Sequence, residues 1–228
     1  MGVSRRLNDA YNGFLHLSPE KNDIMFAGII EATGEISDVK RGREGLRVTI
    51  GTALDLSDIR AGDSIAVDGI CLTVIDSSAH SFSADVSRET LNCTADLVEH
   101  GIVNLEKALR VSDRINGHLI SGHVDGVGQV VKFERAGQCY LLSIKAPRGL
   151  DKYIARKGSI AVNGVSLTVN GINNSIFGVN LIPHTLESTT LKYFKRGVRV
   201  NLEVDMMARY IERLFRPDQA KSRKSKRR

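Results

Sequence analysis

SIAVDGICLTV occupies residues 64–74 and SIAVNGVSLTV occupies residues 159–169 of the same 228-residue chain. Eight of the eleven positions are identical in register at an offset of 95; the exceptions are Asp68 for Asn163, Ile70 for Val165 and Cys71 for Ser166. Self-similarity at a fixed separation decides the architecture before any local reading does. The repeat also extends outward. GIIEATGEI (28–36) resembles GHVDGVGQV (122–130), and FSADVSRETL (82–91) stands opposite FGVNLIPHTL (177–186). GIVNLEKA (101–108) answers GVRVNLEV (197–204), with one inserted residue. The chain is therefore two halves of one plan and not a stack of short units. Either the duplication serves stability and ancestry alone, or it makes two related binding pockets.

Most segments read as short strands. LRVTI, SIAVDG, CLTVI, SFSADV, LLSIKA, SIAVNG, SLTVN and FGVNLI are rich in β-branched residues and separated by Gly, Asn, Asp or Ser. Alternation puts Leu72 and Val74 on one face and Cys71 and Thr73 on the other; Leu167 and Val169 likewise oppose Ser166 and Thr168. Asp68-Gly69 and Asn163-Gly164 are tight-turn signals. Two small closed antiparallel barrels are the natural packing, because closure removes exposed strand edges. Two segments read as helix. NLEKALRVSD (104–113) is a short amphipathic candidate between the halves. VDMMARYIERLF (204–215) is a better one, with Val204, Met207, Ala208, Ile211 and Phe215 on one stripe. Because that stripe follows two self-contained repeats, it is expected to pack against another subunit.

Composition narrows the function classes. No apolar run approaches the ~18 residues of a membrane span, so no membrane association is expected. Trp is absent and aromatics make up 5% of the chain, which argues against a base-stacking surface. The net charge of +6 lies entirely in residues 216–228, where seven basic residues meet one acid. Such a tail reads as solvated chain, and nucleic acid is not an expected partner. Three cysteines at spacings that match no zinc motif, with no signal peptide, read as free thiols in a reducing cytoplasm. Residues 1–24 fit neither a secretory nor a transit segment, and Met25 is itself a candidate start.

The polar strand faces raise the question of a site. Cys71 and Thr73 in one half, and Ser166 and Thr168 in the other, present thiol and hydroxyl groups at equivalent places. Taken singly they are ordinary solvent-facing strand residues; taken as a repeated pair beside a tight turn, they are also pocket candidates. His118 and His123 in GHLISGHVDG (117–126) fit a structural role as well as a catalytic one. The spacing supplies no further ligands for zinc, and no dinucleotide, P-loop or nucleophile-elbow motif is present.

Together, MFAGIIEATGEI, GDSIAVDGICLTV, VSRETL, NLEKALR, NGHLISGHVDG, KGSIAVNGVSLTV and LIPHTLESTTL resemble the riboflavin synthase family, from Met25 to about Phe215. The resemblance implies an all-β chain of two tandem homologous six-stranded antiparallel Greek-key barrels plus a C-terminal α-helix. In residue numbers this gives an N-terminal extension (1–24), an N-terminal lumazine-binding barrel (25–115), a C-terminal one (116–203), a trimerisation helix (204–216) and a basic tail (217–228). It implies a homotrimer with active sites between subunits, and it brings lumazine synthase as a candidate partner. The implied reaction is the dismutation of two 6,7-dimethyl-8-ribityllumazine molecules by four-carbon transfer, giving riboflavin and 5-amino-6-(D-ribitylamino)uracil. No metal or organic cofactor is implied, because the lumazine ring is its own electron sink.

Carried over residue by residue, the family pattern lines the N-terminal pocket with Gly28, Ile29, Ile30, Cys71, Leu72, Thr73, Asp85, Val86, Ser87, Arg88, Glu89 and Thr90. Gly122, His123, Val124, Lys157, Ser166, Leu167, Thr168, Ile182, Pro183, His184, Thr185 and Leu186 would line the C-terminal one. His123 is the candidate proton shuttle, and Ser166 and Thr168 are candidate orienting or nucleophile-activating hydroxyls. Cys71 is the equivalent of Ser166, and Asp205 is a candidate partner for a ribityl hydroxyl or a water. Ile29 stands where the second half has His123, so the halves are expected to divide donor and acceptor roles. The alternative is a non-catalytic lumazine or flavin carrier, which would be expected to lose the pocket residues of one half.

Overall fold

The computed structural model describes residues 24–215 apart from 44, 96, 98 and 99. The expectations for the basic tail and for all but the last residue of the N-terminal extension lie outside the described residues. The first barrel comprises β1 (Ala32–Arg41), β2 (Gly45–Thr52), β3 (Ser64–Val67), β4 (Ile70–Ser77), β5 (Ser81–Ser87) and β6 (Ile102–Lys107). The second comprises β7 (Gly126–Ala136), β8 (Cys139–Lys145), β9 (Ser159–Val162), β10 (Val165–Asn173), β11 (Ile176–Leu181) and β12 (Arg199–Val204). Both close in the same order, β1-β2-β5-β4-β3-β6 and β7-β8-β11-β10-β9-β12, and all pairings are antiparallel. Interleaving the first hairpin with the β3–β4–β5 meander makes the order a Greek key.

Alternation fills each barrel. In β2 Leu46, Val48 and Ile50 turn inward; in β4 Ile70, Leu72 and Val74 do; in β5 Phe82, Ala84 and Val86 do. Phe177, at the repeat position of Phe82, is likewise fully buried in the second core. Burying such a side chain contributes about 1.5–3 kcal/mol, so each half holds a core of its own. The β-bulges also repeat, at Ile36/Asp38 and Val130/Lys132, and at Val74/Asp76 and Val169/Gly171.

The two tight turns are where the barrels meet. Asp68 and Gly69 have φ of 46° and 77°, and Asn163 and Gly164 have 45° and 80°. Two successive positive φ values form the type I′ turn that matches strand twist. A Cβ on Gly69 would stand 2.7 Å from the Gly164 nitrogen, so the tips touch back to back and neither glycine is replaceable. Asn104 donates from Nδ2 to the Asn163 carbonyl, and Asn201 donates to the Asp68 carbonyl, both at 2.9 Å. These exchanged bonds relate the halves by an approximate two-fold axis.

Two helix expectations are corrected. NLEKALRVSD is not helical: its first four residues complete β6. Val103 and Leu105 face the core while Asn104 and Glu106 are buried at the seam between barrels, so a period-2 strand carries polar residues inside. Val204 ends β12 and is buried, and the C-terminal helix starts at Met206. Two short helices follow β5 and β11: α1 (Arg88–Cys93) and α2 (Pro183–Ser188). The C-terminal helix is α3 (Met206–Phe215). Met207, Ile211 and Phe215 are 62%, 50% and 81% exposed in this single chain, beside exposed Tyr210 and Leu214. No helix among the described residues is long and apolar enough to cross a membrane.

Candidate active site

Each barrel is preceded by a short strap held by a buried glutamate. Glu106 of β6 accepts from Ala27 N at 2.7 Å, and both of its oxygens accept from Gly28 N, at 3.1 and 3.0 Å. Glu203 of β12 accepts from Ser121 N (2.7 Å), Ser121 Oγ (2.6 Å), Gly122 N (2.9 Å) and His123 N (3.0 Å). Burial pushes the Glu106 carboxyl up to about 7, against the pull of the strap amides. Glu203 is also raised by burial, with its Ser121 bonds and the Arg209 charge opposing. Gly28 and Gly122 have φ of 75° and 77°, a conformation that lets the strap turn its amides inward.

The straps cross over, which the sequence reading did not anticipate. The family pattern places Gly28 with Cys71, but its carbonyl accepts from Ser166 N at 2.9 Å, and the Gly122 carbonyl accepts from Cys71 N at 2.9 Å. Ile30 packs against the second barrel's core, and Val124 against the first. A Cβ on Gly28 would lie 2.6 Å from the Ser166 Cβ, and one on Gly122 would lie 2.5 Å from the Cys71 Cβ. Each strap therefore hydrogen-bonds to its own barrel's glutamate while lying along the other barrel's polar strand face. The straps are joined by paired bonds between Phe26 and Ile120, at 2.8 and 3.0 Å.

The crossing brings in His118, whose structural and catalytic roles the sequence leaves equally open. His118, 9% exposed, lies 2.7 Å through Nδ1 from Ser166 Oγ. Burial lowers its pKa, only partly offset by the charge of Asp205, so the imidazole is neutral near pH 7. With its proton on Nε2, Nδ1 accepts from the Ser166 hydroxyl and can take its proton. The Nε2 atom is buried with no hydrogen-bond partner among the described residues. The sequence signal was positional: by the repeat offset His118 corresponds to Ile24, an apolar residue. Ile24 and Cys71 both pack on the small apolar cluster of Phe26, Ala66, Ile120 and Ala161.

The remaining predicted residues fall into three groups. Thr73 and Thr168 are exposed on the strand faces beside Cys71 and Ser166, and Ile29 and His123 are exposed on the straps. Leu72, Val86 and Leu167 point into barrel cores, leaving only their main chain to a ligand. The third group rims the barrels. Asp85 pairs with Arg47 at 2.8 Å, Ser87 caps α1 by accepting from Thr90 N, and Arg88 donates to the Arg43 carbonyl. Glu89 is exposed on the same helix. Ile182 precedes α2, Pro183 opens it, and His184 and Thr185 follow, with Leu186 against the second core. Lys157 is exposed and holds φ of +68° where the first half has Gly62. A non-glycine residue held in that region costs of order 1 kcal/mol, and such strain concentrates at functional sites. Asp205 accepts from Met207 N at 3.0 Å, capping the start of α3. No group of three or more metal-ligating side chains occurs among the described residues.

Both halves of the chain match known proteins. The family described as "Lumazine binding domain" matches twice, over residues 27–108 and 121–205. Riboflavin synthase of Photobacterium phosphoreum is 45% identical over 205 residues, 89% of this chain and 94% of the relative. That of Bacillus subtilis is 40% identical over 84% of this chain and 90% of its own length. The chain belongs to the riboflavin synthase family. As a riboflavin synthase it is an enzyme. LumP complexed with riboflavin superposes with a TM-score of 0.73, at 26% identity, covering 78% of this chain and 98% of that one. LumP complexed with 6,7-dimethyl-8-(1'-D-ribityl) lumazine gives 0.71 at 25% identity, with the same coverage. The shape is shared with LumP, whereas the relatives at 40–45% identity are riboflavin synthases.

Proposed function

We propose that this riboflavin synthase binds one 6,7-dimethyl-8-ribityllumazine on each barrel's polar strand face, bordered by the crossed strap. One site is built from Gly28, Ile29, Ile30, Lys157, Ser166, Thr168 and residues 182–186. The other is built from Gly122, His123, Val124, Cys71, Thr73 and residues 85–90. Strap carbonyls and the strand hydroxyls suit the pyrimidinedione edge, the strap amides being held by Glu106 and Glu203, and the rim residues suit the ribityl chain.

The observation that carries this reading is the His118–Ser166 contact beside Gly28, present in one half and replaced by Ile24 and Cys71 in the other. Two identical substrates need unlike treatment: the acceptor loses a 7-methyl proton, and the donor gains a nucleophile at C7. A hydroxyl facing a neutral imidazole supplies proton transfer to one of them, and His123 serves the other. Two lumazines then give one riboflavin and one 5-amino-6-(D-ribitylamino)uracil, with no outside oxidant or cofactor. Stacking two rings in reacting register supplies much of the remaining acceleration.

The two sites of one chain belong to different pairs, each completed by a neighbouring subunit in a cytoplasmic homotrimer. The outward apolar side of α3 supports this, since a chain alone leaves Met207, Ile211 and Phe215 in water. The test is incubation of the purified chain with the lumazine alone, plus chelator, followed by flavin absorbance and sedimentation mass. One riboflavin per two lumazines and a mass of three chains are expected. A one-to-one yield, a metal requirement, or full turnover by a single chain would overturn the reading.

A further inference from the structure

α3 is docked by its polar side. Lys152 Nζ donates to Glu212 Oε1 at 2.5 Å, and the Tyr153 hydroxyl donates to Glu212 Oε2. One turn earlier, Arg209 Nη2 donates to the His123 carbonyl at 3.1 Å and to Asp125 Oδ2 at 2.7 Å. The same nitrogen lies 4.0 Å from Glu203 Oε1. Asp125 Oδ2 also accepts from Val204 N at 2.8 Å, so it anchors the C-terminal end of this strap to β12. One guanidinium thus faces both carboxylates that hold the strap and the carbonyl of its central residue.

The first half lacks this arrangement. Glu106 and Glu31 occupy the corresponding places, and Glu31 Oε1 accepts from Lys107 N at 2.7 Å. Among the described residues no basic side chain pairs with either. Two carboxylates at one short strap repel each other, and a positive charge whose N–H donors reach one of them and the strap carbonyl, with the other close by, relieves the repulsion. The second strap, which carries His123, is therefore fixed by a charge delivered from the C-terminal helix.

We propose that Arg209 is a positioning residue for riboflavin synthesis: seated on α3, it fixes the strap of residues 121–125 and so makes the site depend on the docking of that helix. The proposal rests on the reading that this strap borders a lumazine pocket. The test compares Arg209→Met, Arg209→Lys and Asp125→Asn in the full chain, the last breaking the same pair without altering α3. Amide exchange of the peptide spanning residues 118–126, sedimentation mass, kcat and KM are measured for each.

Arg209→Met and Asp125→Asn should each speed strap exchange by at least about 5-fold, the worth of one lost hydrogen bond. Each should lower kcat by about 10- to 100-fold, as misplacement of a reacting group does. Arg209→Lys, which keeps the charge, should recover most of both. If Arg209→Met changes the sedimentation mass, Asp125→Asn carries the test at unchanged mass. Strap exchange or kcat at the wild-type rate in Asp125→Asn would overturn the proposal, as would an Arg209→Lys variant no better than Arg209→Met. A wild-type chain that made no riboflavin would instead refute the functional reading, because the exchange comparison does not need turnover.

Discussion

On the first barrel, Cys71 lies under the crossed Gly122, and Ile24 packs nearby on an apolar cluster. On the second, Ser166 lies under Gly28 and faces a buried histidine at 2.7 Å. Strand order, bulges and turn dihedrals agree between the halves, so the frame is common to both and the groups beside the crossed straps are what differ. On the proposed reading, the symmetric frame brings two like substrates into like poses and the unlike side chains give them different fates. The largest expected effect tests this division. Ser166→Ala should lower the rate of riboflavin formation by about 10²- to 10³-fold, the range for loss of acid–base help. Cys71→Ala, its counterpart, should cost only a few-fold. Equal losses at saturating lumazine would break the comparison, since both halves would then be doing the same chemistry.

The halves also show what a sequence reveals and what it hides. The β3–turn–β4 hairpin was legible because its apolar alternation and Asp-Gly or Asn-Gly turn agree at every level. β6 and β12 were harder. In VNLE, Asn104 and Glu106 alternate with Val103 and Leu105, yet these polar residues are buried at the seam, where pattern reading expects solvent. The cross-over of the straps was hidden, since periodicity says which face a residue occupies but not which barrel it lies against. His118 was visible in the chain, but its contact with Ser166 spans 48 residues and exists only after the straps cross. For α3 the stripe was found but its start was misplaced, because Val204 continues β12 with equally apolar character.

A middle-sized effect sharpens the comparison at the two strap glutamates. Glu203 accepts four hydrogen bonds and has the Arg209 guanidinium close by; Glu106 accepts from Ala27 and Gly28 and has Glu31 as a neighbour of like charge. Glutamine keeps the shape but offers one acceptor oxygen, so an amide group faces a strap N–H. Glu203→Gln should cost about 2–3 kcal/mol at neutral pH, as a buried donor loses its charged acceptor. Glu106→Gln should cost clearly less, because burial and Glu31 already disfavour its charge. Urea midpoints of the two variants, with the slope unchanged, decide between them. An equal loss would mean that Arg209 does not strengthen the second strap.

The smallest effect concerns the turn tips, where the halves differ by one atom of side chain. Asn163 Oδ1 accepts from Asn201 N and Asp68 Oδ1 accepts from Asn104 N, both at 2.8 Å, so an asparagine already performs the same task in the second half. Burial pushes the Asp68 carboxyl up to about 7 from its ordinary 3.8, against the Asn104 amide. A folded-state value above the unfolded one gives stability that is full below about pH 4 and lost as pH rises through about 7. The wild-type chain should therefore weaken between those limits by more than Asp68→Asn does. A shift of that size would correspond to a few kcal/mol if the group were wholly sealed. Asp68 keeps partial contact with solvent, so the expected gain for Asp68→Asn at pH 8 is about 1 kcal/mol, vanishing near pH 4. Denaturation midpoints of both chains at pH 4, 6 and 8 measure it. Parallel profiles would show that the Asp68 charge is solvated at the seam, and that the two turn tips are matched in electrostatics as well as in backbone.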